Sequence, residues 1–301
     1  MKIFNSLDNF KVNFKTIVTV GTFDGVHLGH RYIINQLNKI AKKEGGESVL
    51  FTFSPHPRFV LHEDSSDLKL IDTLEEKKSK LKKIGLKNLV VHKFTKEFSR
   101  MKYVNFVRDI LVEKLNVDCL VIGYDHQFGR NREGSYKELV ALSELYNFKL
   151  EQIPPQKNND IAVSSTKIRN LIKGGEIKEA NKYLNDNFRI IGKVIHGDKI
   201  GRKIGFPTAN IEVNPNKLVP KSGVYFVNVQ IDDMFYKGML NVGEKMKKIE
   251  VHIFDFKKTI YDKIITVEFL EWIRSPISFH TQADLKKQLK IDEKACKLFF
   301  Y

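Results

Sequence analysis

The spacing of hydrophobic positions changes near residue 186. Before that point, short apolar runs alternate with stretches in which apolar residues recur every three or four positions. Short runs predict buried strands, and the longer spacing predicts amphipathic helices. The strand candidates are residues 17–20, 48–53, 89–91, 118–122 and 149–153, and the helix candidates include residues 33–41, 104–115 and 136–145. This alternation predicts a doubly wound parallel α/β sheet for residues 1–186.

Strand candidates follow one another without intervening helices in residues 187–301. They are residues 189–195, 224–231, 235–240, 249–254 and 264–270, separated by turn signals such as the Asp-Asp pair at 232–233. One amphipathic helix is predicted near residues 282–289. The pattern predicts a small antiparallel β-barrel with a C-terminal helix.

The string GTFDGVHLGH at residues 21–30 follows the first strand candidate and opens a helix. Free backbone N–H groups and the positive end of the helix dipole meet at such a turn, which suits a phosphate. His27 and His30 are three residues apart and can face one ligand as hydrogen-bond donors. They could instead only cap or pack, but Gly21, Gly25 and Gly29 allow close backbone approach and favour the ligand.

Two further strings in the first half follow predicted strands or open helices. Residues 53–57 read FSPHP, a loop that two prolines hold at a strand end, although a plain rigid connection explains it equally well. Residues 164–169 read SSTKIR. Helix capping is enough to explain Ser164. Arg169, which lies on the same turn as Thr166, could instead form bidentate hydrogen bonds to phosphates.

The string GDKIGRKIGFPTAN at residues 197–210 carries glycines at four-residue spacing. Such a loop can wrap a phosphate through its backbone N–H groups. Thr208 can offer a hydroxyl to Mg²⁺, and Asn210 an amide oxygen. Downstream, Glu250 is the only carboxylate in residues 245–254 and could act as a general base, although a solvent-facing strand residue is its simpler interpretation.

Together these strings resemble the bifunctional bacterial riboflavin kinase/FAD synthetase family. Residues 21–30 and 164–169 resemble the two signatures of the nucleotidylyltransferase superfamily, which alone would leave other nucleotidyl transfers open. The string GFPTAN at residues 205–210 resembles the riboflavin kinase signature. The resemblance implies an N-terminal FMN adenylyltransferase domain (1–186) and a C-terminal riboflavin kinase domain (187–301).

The resemblance also implies two reactions and their residues. The kinase domain would phosphorylate riboflavin to FMN, with Glu250 as the base and Mg²⁺–ATP held by Thr208 and Asn210. The other domain would join FMN to AMP from a second ATP, giving FAD and pyrophosphate. His27, His30 and Arg169 would lead that step.

Further binding residues are expected from the same resemblance. For nucleotide they are Gly21, Phe23, Asp24, Gly25, Gly29, Ser164, Thr166, Gly197, Gly201, Gly205 and Pro207. For flavin they are Phe53, His56, Pro57, Asp125 and Phe128. The chain departs from the family at His126, where an aromatic ring is usual, and at residues 244–248, which replace a longer loop carrying Arg-Pro-Thr.

The composition bears on the partners, the cellular location and the oligomeric state of the protein. The net charge is +15, but lysine is spread over the chain, so no nucleic-acid partner is expected. The lysine run at residues 77–83 is interpreted as the solvated face of a helix. No long apolar span or signal peptide is seen, so no membrane partner is expected. With only two cysteines, a reducing cytoplasmic location is predicted. Cys119 is expected to be a buried packing thiol. A monomer or weak homo-oligomer is expected.

Two other functions stay open. A flavin-binding regulatory protein with one inactive domain would bind flavin without turnover. A basic RNA-associated protein would lose affinity steeply as salt rises.

Overall fold

Six parallel strands form the first sheet in a computed structural model, which describes residues 1–61, 68–124, 128–130, 133–154, 163–197, 200–244 and 248–300. The strands are β1 (Lys2–Phe4), β2 (Thr16–Val20), β3 (Glu47–Ser54), β4 (Asn88–Lys93), β5 (Val117–Gly123) and β6 (Lys149–Ile153). Their order is β1-β4-β3-β2-β5-β6, and all pairings are parallel. The doubly wound sheet is therefore confirmed, and the short edge strand β1 is an addition to it.

Helices and apolar cores lie between these strands. The helices are α1 (Leu28–Glu44), α2 (Pro57–Leu61), α3 (Leu74–Lys83), α4 (Lys96–Ser99), α5 (Tyr103–Asn105), a π-helical segment (Phe106–Val112) and α6 (Tyr136–Tyr146). Every residue of β2 is buried. Its side chains alternate between two clusters, with Val18 and Val20 in one and Ile17 in the other. A strand buried on both faces is typical of a parallel sheet.

The strand order reverses between β2 and β5. The chain passes from β2 outward to β3 and β4, and then returns to the other side of β2 as β5 and β6. Ligands of open α/β sheets bind outside the carboxyl ends of the strands at such a switch point. Residues 21–30 leave β2 at this point.

Six antiparallel strands close into a barrel in the second half, as the sequence predicts. They are β7 (Phe188–Ile195), β8 (Ala209–Val213), β9 (Gly223–Ile231), β10 (Met234–Val242), β11 (Ile249–Ile253) and β12 (Ile264–Arg274). The order around the barrel is β10-β11-β8-β7-β12-β9. The remaining helices are α7 (Ser165–Gly174), α8 (Ile177–Leu184), α9 (Ile200–Lys203) and α10 (Gln282–Phe300). The predicted C-terminal helix is thus present and longer than its pattern suggested.

The chain divides into two compact units. One contains residues 1–68 and 74–163, and the other contains residues 69–73 and 164–301. Helix α8 belongs with the barrel because Asn181 donates to the Phe269 carbonyl (2.9 Å) and accepts from the Phe188 N–H (2.7 Å). The assignment of domains to 1–186 and 187–301 stays a prediction.

The length and apolarity of the described helices bear on membrane crossing, and the burial of the two cysteines bears on their reactivity. Among the described helices, none combines the length and apolarity needed to cross a membrane. Cys119 is buried, as expected, and Cys296 is buried as well. Burial raises the pKa of each thiol to about 12, so both behave as packing groups rather than nucleophiles.

Candidate functional site

The loop of residues 21–26, called the phosphate loop after its predicted role, leaves β2 in a constrained backbone conformation. The Gly21 N–H donates to the Phe51 carbonyl of β3 (3.0 Å). Phe23, Gly25 and Val26 have positive φ values of 48°, 88° and 42°. Left-handed conformations at Phe23 and Val26 are costly and persist only where the surroundings impose them. The loop therefore has a backbone conformation that an ordinary strand-to-helix turn does not require.

Aromatic rings converge where the phosphate loop enters α1. The rings of His27 and His30 stack with centroids 3.6 Å apart, and Phe23 stacks on His30 at 4.6 Å. Asp24 is buried in the turn, and a Cβ on Gly29 would lie 3.3 Å from the His27 ring. The structure thus places these five predicted nucleotide-site residues together.

The environment of His30 favours its neutral form. Burial lowers its pKa well below the usual value, and the charges of His27 and Lys77 lower it further. Its Nδ1 atom is buried and has no hydrogen-bond partner within the described part of the chain. A neutral imidazole here can donate one hydrogen bond to an anion and gain charge only when negative charge approaches.

Two lysines of α3 lie beneath the phosphate loop. The Nζ of Lys77 donates to the Thr22 carbonyl (2.6 Å), and the Nζ of Lys80 donates to the Gly25 carbonyl (3.4 Å). Both side chains are buried, at 6% and 0% exposure. The expectation of a solvated helix face is wrong for these two, because the loop carbonyls compensate for lost hydration. The same helix does expose Lys82 and Lys83.

The residues expected to bind flavin are partly integrated into the core. The Phe53 ring packs edge-on against Phe94 (5.4 Å). The Nδ1 of His56 accepts from the Arg58 N–H (3.2 Å), and Pro57 begins α2. Phe128 is buried, with its ring 5.7 Å from that of Phe106. Asp125 and His126 lie outside the described residues.

The second signature opens α7 in the barrel-containing unit. Ser164 is the N-cap and accepts from the Lys167 N–H (3.2 Å), so capping accounts for this hydroxyl. Thr166 is exposed. Arg169 is buried at 8% exposure, and its Nε donates to the Lys69 carbonyl (3.1 Å). A phosphate-binding role for Thr166 and Arg169 stays a prediction.

Three polar side chains form a row across neighbouring barrel strands. Glu250 of β11 pairs with Asn210 of β8 on one side and Asn241 of β10 on the other. Directly paired residues present their side chains on the same face of a sheet. The structure therefore brings the predicted base beside a predicted metal ligand. Residues 241–243 also resemble the riboflavin kinase family, but the sequence assigned no site role to Asn241.

Asn210 has the features of a ligand-binding amide. Its side chain is buried at 6% exposure, and its Oδ1 has no hydrogen-bond partner among the residues described. A Cβ on Gly197 would lie 2.1 Å from the Asn210 Nδ2, so only glycine permits this close approach. Thr208 is exposed and lies two residues before Asn210. An oxygen-rich site of this kind suits Mg²⁺.

The chain between Gly197 and Asn210 folds tightly. A Cβ on Gly201 would lie 2.2 Å from the Phe206 carbonyl oxygen, and Gly205 has a φ of 91°. The Pro207 carbonyl lies 2.8 Å from the Nδ1 of His252, which must be the donor because a carbonyl only accepts. His252 shares the outer face of β11 with Glu250 and was not predicted as a site residue.

A lysine lies beside the predicted base. The Nζ of Lys248 is 3.4 Å from the Oε1 of Glu250, and both side chains are partly exposed. Lys248 belongs to the segment in which the chain departs from the Arg-Pro-Thr loop. This ion pair keeps a cation next to the carboxylate.

Two family models match the chain. The model for FAD synthetase matches residues 10–167, and the model for riboflavin kinase matches residues 184–300. Among curated proteins, the bifunctional riboflavin kinase/FMN adenylyltransferase of Listeria monocytogenes is 36% identical over 94% of this chain and 92% of its own length. The protein of that name from Bacillus subtilis is 34% identical over 95% of this chain and 93% of its own.

A solved structure shares the whole fold. It is named as a macrolide-efflux protein from Streptococcus pneumoniae, is 30% identical, covers 98% of both chains and has a TM-score of 0.89. The family models and the curated relatives agree with one another and cover both units.

Proposed function

We propose that this chain, which belongs to the bifunctional riboflavin kinase/FMN adenylyltransferase family, makes FAD from riboflavin in two ATP-dependent steps. The family models for the two activities match successive parts of the chain. The observation that carries the proposal is that each part contains a constrained glycine loop beside buried polar groups. In the first part, the polar groups are His27 and His30, which follow the loop of residues 21–26. In the second part, the polar group is Asn210, which lies beside Gly197.

In the proposed kinase step, Glu250 is the general base. Its carboxylate takes the proton from the terminal hydroxyl of riboflavin, the hydroxyl oxygen forms a bond to the γ-phosphorus of ATP, and ADP leaves. The cross-strand pairing of Glu250 with Asn210, the proposed ligand of Mg²⁺–ATP, supports this role. Lys248 can exchange its contact with Glu250 for the arriving phosphate.

Mg²⁺ fits the same site. The Oδ1 of Asn210, which has no hydrogen-bond partner among the described residues, and the Thr208 hydroxyl are oxygen ligands of the kind that Mg²⁺ prefers, and they would hold it together with ATP. Bound Mg²⁺ would neutralise charge on the phosphates during transfer. The residues themselves orient the nucleotide.

In the proposed adenylylation, the protein needs no nucleophile. A phosphate oxygen of FMN attacks the α-phosphorus of ATP, the bond from that phosphorus to the bridging oxygen breaks, and pyrophosphate leaves. His27 and His30 would donate hydrogen bonds to the phosphates from the end of the phosphate loop, and Arg169 would contribute a charged fork. We propose that the enzyme acts in the cytoplasm on these small molecules, without nucleic acid, as a monomer or weak homo-oligomer.

The test is product analysis. Pure protein is incubated with riboflavin, ATP and Mg²⁺, and flavins are separated by chromatography over time. FMN should form and FAD should follow, and both should stop when a chelator in excess removes divalent ions. Flavin binding without either product would instead favour the regulatory-protein alternative.

A further inference from the structure

We infer that Lys77 and Lys80, here called the sub-loop lysines, position the phosphate loop for the phosphates of ATP in adenylylation. The inference rests on the proposed function and adds residues to it. The two lysines are one helical turn apart on α3, so they face the same loop. Neither belongs to the glycine-histidine string that signals the site.

Burial shows that these lysines are tied to the loop. A buried ammonium group is costly unless strong hydrogen bonds replace its hydration. Both side chains are over 90% buried, and the Nζ of each lysine donates to a carbonyl of the phosphate loop. Charge-assisted bonds of this kind are stronger than those between neutral groups. The lysines therefore hold the backbone of the phosphate loop in position against α3.

The contact at Thr22 determines which way a peptide points. Its carbonyl accepts from the Lys77 Nζ (2.6 Å) and from the Thr52 Oγ1 (3.4 Å). Because a trans peptide is planar, its N–H points away from its C=O. Holding the Thr22 carbonyl toward α3 thus aims the Phe23 N–H in the opposite direction. This arrangement stabilises the positive φ of Phe23 and presents a donor for an anion.

The charge of Lys77 also acts through space on the site. It is one of three influences that lower the pKa of His30, after burial and His27. A cation that disfavours a proton on that ring favours a phosphate at the same place. The sub-loop lysines are therefore positioning residues that also contribute positive potential.

The test uses the reverse reaction of the full chain. In it, an oxygen of pyrophosphate attacks the AMP phosphorus of FAD, the bond to the FMN phosphate breaks, and ATP and FMN form. Lys77→Met keeps the side-chain length and removes the charge. Its KM for pyrophosphate should rise by about ten- to a hundredfold, in line with loss of a hydrogen bond to a charged group. Its KM for FAD and its riboflavin kinase rate should stay within about twofold of wild type, well below the effect of such a bond.

Controls separate positioning from folding. Lys82→Met changes an exposed lysine of the same helix and should behave as wild type, while Lys77→Arg should recover much of the pyrophosphate affinity. A wild-type KM for pyrophosphate in Lys77→Met would overturn the inference, as would equal losses toward pyrophosphate, FAD and the kinase substrates. If Lys77→Met fails to fold, the same measurements on Lys80→Met test the inference by the same criteria. A wild-type chain that makes no FAD from FMN and ATP would instead overturn the proposed function itself.

Discussion

His30 combines a position at the start of a helix, where negative charge is favoured, with a preference for the neutral form. It lies in the first turn of α1, where the helix dipole favours negative charge. Burial and neighbouring positive groups nevertheless lower its pKa. If a phosphate binds there as proposed, the ring can gain positive charge as negative charge arrives, instead of carrying a permanent charge.

The lowered pKa predicts how stability depends on pH. As pH falls through 6.5, the ordinary value, the unfolded chain takes up a proton at His30 that the folded chain does not. The free energy of unfolding should therefore fall below that pH. His30→Gln should reduce this dependence by up to about 1.4 kcal/mol per pH unit. Urea unfolding between pH 7.5 and pH 5.5 measures it, and equal slopes for the two proteins would show that His30 takes up its proton over the same pH range in the folded and unfolded chains.

Glu250 allows a direct test of the kinase base. Glu250→Gln keeps the shape and removes the proton acceptor, so FMN formation should fall by about a hundred- to ten-thousandfold. Riboflavin binding should be largely retained, which fluorescence titration can check. Adenylylation of supplied FMN should be unchanged. A kinase rate within a few-fold of wild type would mean that another group takes the proton.

At the scale of elements, the approach of Gly197 to β8 sets the position of Asn210. Gly197→Ala would place a Cβ 2.1 Å from the Asn210 Nδ2 and push the amide aside. Misplacing a binding group by an ångström can cost about a hundredfold, so kinase kcat/KM should drop by about that factor. Gly243→Ala is the matched control, because its Cβ would meet nothing nearer than 3.4 Å. Similar losses in both variants would argue against a special role for the Asn210 position.

Periodicity predicted most elements but not their partners. Strands such as β3 and β5 carry apolar runs long enough to be recognised. Strand β8 was missed because its five residues continue the glycine-rich string and owe their conformation to pairing with β7 and β11. The π-helical form of Phe106–Val112 likewise has no signal in a pattern of apolar spacing.

In the candidate sites too, the sequence could not predict features that depend on tertiary contacts. The sequence indicated His27, His30, Asn210 and Glu250, because these residue types carry the chemistry. It placed Lys77 and Lys80 on a solvated face, since a lysine run by itself is typical of one. Only tertiary packing turns those two side chains toward loop carbonyls. Supporting residues are therefore harder to predict than reacting ones.

At the scale of the molecule, the two candidate sites are built from different residues, although Arg169, which is proposed for adenylylation, belongs to the barrel-containing unit. The phosphate loop belongs to one compact unit, and the Asn210–Glu250 row belongs to the other. The sequence predicted two parts, but it could not show that α8 would be tied to the barrel through Asn181. A substitution at His30 or at Glu250 should therefore remove one activity and leave the other.

A mixing experiment tests this central claim most directly. His30→Ala alone should convert riboflavin to FMN and stop there, while Glu250→Gln alone should make FAD only from supplied FMN. An equimolar mixture of the two variants, given riboflavin, ATP and Mg²⁺, should restore FAD through released FMN, as measured by chromatography of the flavins. The claim would be contradicted if folded His30→Ala made no FMN, or if folded Glu250→Gln failed to convert FMN to FAD.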